Sequence, residues 1–521
     1  MNDTALANEF PQSATQAPRA LRTTQTMIYP LQYLRAIAAF CVVLCHASYY
    51  VLQARGDGRM WEIFARAGTL GVFLFFAISG YLMAHLAENA SSMRFLAHRL
   101  IRIYPIYWLC VLGVVVVSFT FGHLIRPDPL ALMLVPGATQ SYILGVEWTL
   151  PFELTFYLIV FLVIVTGLRR ALPAIAIAWV FLIELLLVAR PDLQQGQFPL
   201  LLNLPLSQYS IPFAAGLLIP LAIKRRWIGP ATPLIALAML VTSEAASSVG
   251  MAVSSGLMGF GCVLLVASAV QSGISSTKPP NRPMLALGDW SYALYLCHVP
   301  VIRALCWIAP SSVMSMQLWF AALGAPIFVA ILLGKADLAM YRWFKSHVDG
   351  CRPMVRTALG LVFIVSILSV SAYSYAQLIR AKRLNAATAP LAAKIDAAMD
   401  ANETKLAFAA RSVGLHDDPT LVGHFDGVYG QPTEVRVQGW AADSTISKRS
   451  VRVLVFHCGH YLGVVSPQDS RSDVTAALRN GSSHQGFNLN VPMPTKCASS
   501  RVDGLIMTDS GSFAIIEGQM R

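Results

Sequence analysis

Apolar stretches of about twenty residues recur through roughly the first 380 residues of this chain, and nothing else in it constrains the fold so tightly. A helix needs about 20 such residues to cross a bilayer. In lipid, a backbone that satisfies its own hydrogen bonds is the only stable solution. The runs fall at roughly 28–51, 68–87, 104–122, 142–168, 172–189, 207–223, 230–246, 251–270, 286–309, 317–336 and 357–377, which makes eleven. The fourth carries Glu147, Glu153 and Pro151, and the short seventh contains Glu244. Charged residues make up only 13% of the chain and hydrophobic ones 55%, against about 25% charged in an ordinary soluble domain. So few charges cannot coat several soluble domains. A cytosolic multidomain enzyme, a disordered chain and a nucleic-acid binder are therefore excluded.

The net charge of +12 follows membrane topology. Residues 1–27 are polar, with Arg19 and Arg22 just before the first run, and read as a cytoplasmic tail. That run is too long for the apolar core of a cleavable signal and reads as an anchor that stays. With the N-terminus inside, the inner segments hold seventeen Lys and Arg and the outer loops five, as the positive-inside rule requires. Eleven spans then place the C-terminus outside. The expected location is a bacterial inner membrane.

Beyond residue 378 the pattern changes. Residues 379–415 are Ala-rich with spaced charges and read as a helical stalk. From 416 to 521 come short alternating runs, among them EVRVQGWA, VRVLVFHCGHYLGVV and HQGFNLNVP, separated by turn residues. Period-2 alternation at this spacing predicts a small antiparallel β-sandwich. The expected fold is thus an all-α polytopic membrane protein, about ten helices plus an eleventh, followed by a small all-β extracytoplasmic domain. Cys458 and Cys497 are the two cysteines beyond the last span, and an oxidising outer compartment predicts a disulfide between them. No CxxC or zinc spacing occurs, so no metal is expected.

Ionisable groups inside membrane helices are costly and point to function. Arg35 and His46 stand eleven residues apart in the first run, on one helix face and about 16 Å apart. Ser79 and Gly80 in the second run suggest close helix packing. Arg94, Arg99 and Arg102 precede Tyr104 and Pro105 on the inner side, and forked guanidiniums suit phosphates. Glu153 enters a helix after Pro151 and needs a cation or donor. Asp289, Tyr292, Tyr295 and His298 form a later polar group, and Asp337 and Arg342 follow the tenth run.

These residues lie in five ordered motifs: the Arg-x10-His of Arg35 and His46, GVFLFFAISGYL, RLIRIYP, WTLPFELTFYL and SYALYLCHVP. Over roughly residues 28–345 the chain resembles the acyltransferase-3 family of integral-membrane acyltransferases. It departs from that family at Asp337, where a Glu in an E-x-P-like ending is common. The resemblance implies transfer of an acyl group, usually acetyl from acetyl-CoA, to a hydroxyl of a carbohydrate or lipid-linked glycan. O-antigen, exopolysaccharide, a lipid-linked oligosaccharide and a glycolipid all fit as acceptor.

The expected catalytic set is His46, Arg35 and Glu153. His46 would deprotonate the acceptor or briefly carry the acyl group, and Arg35 would hold the donor. Glu153 would orient or charge-balance them from the same cavity. The expected donor-binding set is Arg99, Arg102, Tyr104 and His298. A transporter or flippase would use the same intramembrane groups as a relay, but the two-fold repeat common in such proteins is not evident. A scaffold acting through its β-module is the third reading. That module resembles small modules found beside glycosyltransferases. It lacks the GDS block of the SGNH esterases that follow many family members; the nearest run is TDSGSF. A binding, positioning or partner role is expected of it.

Overall fold

The structure, a computed structural model, describes residues 29–122, 127–135, 142–190, 203–275, 280–400, 405–430, 434–446, 449–470, 472–478, 484–492 and 501–520. The N-terminal tail and Cys497 lie outside the described residues.

The helical region begins with α1 (Tyr29–Arg55), α2 (Arg59–Phe64), α3 (Ala67–Asn89), α4 (Ser92–Thr120) and α5 (Pro129–Leu132). It continues with α6 (Thr149–Val165), α7 (Leu172–Ala189), α8 (Ile211–Gly216), α9 (Ile219–Lys224) and α10 (Thr232–Ala245). It closes with α11 (Met251–Ser275), α12 (Arg282–Ile308), α13 (Ser315–Gly350) and α14 (Pro353–Asp400). Among the described residues, eight helices are long and apolar enough to cross a bilayer.

Three of the eleven expected runs are helical but short. The 207–223 run breaks into α8 and α9, six residues each, because Pro212 and Pro220 lack the N–H that a continuous helix would use. The 230–246 run yields the 14 residues of α10. The 142–168 run yields the 17 residues of α6, preceded by a loop folded around Glu147. The buried Glu147 carboxylate accepts the amides of Leu144 (2.7 Å) and Val146 (3.0 Å). It sets where α6 starts instead of entering the helix.

α1 packs against α3, α11, α12 and α13. Small residues permit this. A Cβ on Gly71 of α3 would lie 2.5 Å from the Ala38 carbonyl oxygen, and one on Gly288 of α12 would strike the Gln32 carbonyl. Without a hydrophobic drive between helices in lipid, such backbone approach supplies the contact. It also brings the polar residues of α1 against those of α12.

The β region follows α15 (Leu406–Ser412). Its strands are β1 (His416–Asp417), β2 (Leu421–Gly430), β3 (Glu434–Asp443), β4 (Val451–His457) and β5 (His460–Val465). After β6 (Asp469–Ser470) and α16 (Ser472–Leu478) come β7 (His484–Pro492), β8 (Arg501–Thr508) and β9 (Ser512–Gln519). They form two sheets, β1-β9-β8-β4-β5 and β2-β3-β7-β6. Apart from the parallel β1–β9 pair, neighbouring strands run antiparallel.

Val435, Val437 and Phe487 from one sheet meet Val453, Val502 and Ile506 from the other in one core. The outer face of the five-stranded sheet is apolar too, with Leu454, Phe456 and Leu505 buried under Ile395 of α14 and Ala409 of α15. As far as Asp400 the Ala-rich stalk is therefore the end of α14, pinned where Asp396 accepts the Tyr461 amide at 3.0 Å. Cys458 and Gly459 make the two-residue β4–β5 turn, both at positive φ (49° and 81°), as the twist of a tight hairpin demands. Cys458 is disulfide-bonded, while the seven cysteines of the helical region are free.

Candidate active site

A cavity of about 180 Å³ opens among α1, α3, α4, α6 and α12. Its polar lining includes Arg35, Ser79, Arg99, Arg102, Glu153 and Tyr157. Arg99 and Arg102 are one helical turn apart and so share a face of α4. Arg102 donates to the buried Asp337 of α13 at 2.8 Å, and its guanidinium lies 5.1 Å from the centre of the Tyr292 ring. Arg99 stands 5.8 Å from the Tyr157 ring centre. Its Nε is buried without a hydrogen-bond partner among the described residues. Arg35 reaches Gln32 at 3.3 Å, and Glu153 accepts a hydrogen bond from the Tyr157 hydroxyl. Three guanidiniums thus share the site with the carboxylates Glu153 and Asp337, and Asp289 of α12 lies within electrostatic reach of Arg35. The unmatched Arg99 Nε suits an anionic ligand.

Farther along α1 stands His46. Its ring meets that of His298 on α12, with centroids 4.9 Å apart and His46 Nδ1 at 3.1 Å from His298 Nε2. His46 Nδ1 is also 3.0 Å from the Val42 carbonyl oxygen. His298 is fully buried, and its Nδ1 faces the carbonyls of Tyr295 (2.7 Å) and Leu294 (3.2 Å). Tyr295 connects the two places. It lines the cavity, and its ring centre is 5.9 Å from that of His298. Its hydroxyl is 2.7 Å from Thr149 Oγ1, another lining group, and 2.9 Å from the Val146 carbonyl.

The structure brings Arg35 and Glu153 to one cavity, together with Arg99 and Arg102. His46 and His298, expected at the same cavity, are not among the residues that line it. They meet each other beyond Tyr295, because three helical turns separate His46 from Arg35. His298 is not placed to bind a donor, since both its nitrogens are engaged within the protein. Tyr104 lies off the lining too. Its hydroxyl donates to the Met133 carbonyl at 2.7 Å and its ring packs against Trp108, which ties down the segment around α5. Arg94 pairs with Asp349 at the exposed start of α4, beside His98. Sequence reasoning assigned no role to Asp337, although a carboxylate inside an apolar helix was itself a signal.

The family model described as an acyltransferase domain matches residues 28–335, more than half of the chain. A curated relative, the exopolysaccharide production protein ExoZ of Rhizobium meliloti (strain 1021), is 34% identical over 107 residues, covering 17% of this chain and 32% of that protein. The match thus spans about a third of the relative's length. No solved structure matches the chain.

Proposed function

From the premise that this chain belongs to the acyltransferase-3 family of membrane acyltransferases, we propose that it moves an acetyl group from acetyl-CoA to a hydroxyl of an exported carbohydrate. The observation that carries this reading is a histidine with a free ring nitrogen close to an arginine-lined cavity, all within membrane helices.

Each part has a role in that chemistry. The phosphates of the donor find Arg99 and Arg102, where the unmatched Arg99 Nε supplies a donor. Asp337 fixes Arg102 in position. Arg35 of α1, which lines the same cavity, takes the thioester end and offsets the negative charge that develops on its carbonyl oxygen. His46 takes the proton from the acceptor hydroxyl as that oxygen attacks the thioester carbon. The C–O bond forms, the C–S bond breaks, and the CoA thiolate leaves and receives the proton that His46 had taken, which restores the neutral imidazole. Glu153, held by Tyr157, balances the three guanidiniums.

The orientation in this reading puts the N-terminus and the arginines at the cytoplasmic face, where acyl-CoA is made, and the β-module outside. The bonded Cys458 supports an oxidising compartment for that module. The relative's name supports an exopolysaccharide as acceptor.

The test is direct. Protein purified into lipid nanodiscs receives radiolabelled acetyl-CoA and deacetylated exopolysaccharide from the strain that makes it. Label in an alkali-labile ester on the polysaccharide is expected. No label there, with the donor bound, overturns the reading.

A further inference from the structure

The geometry assigns His298 as a positioning residue: with the Val42 carbonyl it holds the proton of His46 on Nδ1, and it sets the ring so that the lone pair of Nε2 is available to the acceptor. This rests on the acyltransfer reading above and names a residue which that reading leaves without a role.

The assignment follows from donors and acceptors alone. His298 Nδ1 faces two backbone carbonyls, at 2.7 and 3.2 Å, and a carbonyl only accepts. That nitrogen therefore carries the proton. In a neutral ring the other nitrogen, Nε2, then holds a lone pair. It lies 3.1 Å from His46 Nδ1, an attractive contact only if His46 Nδ1 bears a hydrogen. The Val42 carbonyl, 3.0 Å from the same Nδ1, makes the same demand. His46 is thereby held with its proton on Nδ1 and its lone pair on Nε2. When Nε2 takes the acceptor's proton, the Nδ1–H bonds to His298 and Val42 become charge-assisted and strengthen. The two rings lie on different helices, 252 residues apart, so the contact also fixes the angle of the His46 ring.

A carboxylate commonly performs this duty in soluble enzymes. Inside a bilayer it would be a buried charge throughout the resting state. His298 accepts the same hydrogen bond while neutral, and its own N–H is satisfied by the backbone of its helix. The pair is thus uncharged until the reaction charges it.

The experiment compares His298→Leu with His298→Gln in nanodiscs, beside wild type and His46→Ala. Gln retains an acceptor at the end of a side chain of similar reach, and Leu does not. His298→Leu is expected to lose about 10–100-fold in kcat, part of the 10²–10⁴ that a general base contributes. The acetyl-CoA KM should stay unchanged, and Gln should recover much of the loss. In protein labelled with ¹⁵N-histidine, the His46 ring should report a protonated Nδ1 and a bare Nε2 in wild type, and a shifted Nδ1 resonance in His298→Leu, where the Val42 carbonyl is the acceptor that remains.

Equal impairment by Leu and Gln overturns the assignment, because it reports lost packing. So does wild-type kcat in His298→Leu, or an unchanged His46 Nδ1 resonance. Wild-type transfer by His46→Ala would instead sink the base role of His46. The nitrogen spectrum still judges the tautomer in that case, so the two failures are distinguishable.

Discussion

Among the described residues, the helical bundle leaves some buried polar groups open, whereas the β-module closes those it buries. In the module, Asp443 is buried and fully matched. It accepts Arg449 at 2.9 Å, the Thr445 amide and hydroxyl at 2.8 and 2.7 Å, and the Ile446 amide at 2.9 Å. Arg449 goes on to Asp418 at 3.0 Å and to Ser510 and Ser512. Among the described residues, every buried side-chain nitrogen or oxygen without a partner lies in the helical region, Arg99 Nε among them. A closed network locks one fold, because each member would be costly to leave unpaired. An open one in a cavity, where desolvation makes an unmatched donor expensive, holds capacity for a ligand. The module's polar core reads as architecture, and the open Arg99 Nε of the bundle's cavity as chemistry.

That contrast is breakable. The largest expected effect is in the bundle: His46→Ala should cut acetyl transfer by about 10²–10⁴ while membrane abundance and module stability stay as in wild type. Wild-type transfer would remove His46 from the chemistry. Next, Arg99→Ala with Arg102→Ala should raise the apparent KM for acetyl-CoA about tenfold or more, with Lys restoring it poorly, because a point ammonium cannot fork onto phosphate. An unchanged KM would return both residues to topology and packing.

In the module the effects should be on stability alone. Cys458→Ser should lower its unfolding free energy by about 2–4 kcal/mol and leave transfer intact, as thermal melts and ester assays would show. A loss of transfer at full stability would mean the module shares in the chemistry. The smallest effect concerns acid. Burial opposes ionisation of Asp443, but the hydrogen bonds from Arg449, Thr445 and Ile446 outweigh it and hold the carboxyl at about 2. A depressed carboxyl contributes stability that is complete above its unfolded value near 4 and is lost as pH falls through its folded value. Melts at about pH 2.5 should therefore fall below those at about pH 5, and Asp443→Asn should narrow that gap. An equal gap in the variant would place the acid sensitivity elsewhere.

Local pattern made much of this readable from sequence. All eleven apolar runs became helical, and the alternating runs became β3, β4, β5, β7, β8 and β9. Length was harder to read, because hydropathy does not register Pro212 and Pro220, which divide one run. Glu147 misled in the same way: its carboxylate bonds to its own loop, so a residue counted inside a span instead ends one. The site was legible as a list of costly residues but not as a map. Arg35 and His46 share a helix face, yet which helix meets each depends on backbone approach at Gly71 and Gly288. Nothing near His46 in sequence points to His298. Asp337 pairs with Arg102 across 235 residues, a partnership that only the bundle creates.

α14 runs unbroken from the apolar 357–377 run to the outer face of the five-stranded sheet, 48 residues in all. A helix is a screw. Each residue added to its 380–388 stretch would lift the module by about 1.5 Å and turn it by about 100°. Height and heading are therefore geared together, and neither can be adjusted alone. A lineage that needs the module farther from the membrane, facing the same way, has to move in near-whole turns of three or four residues.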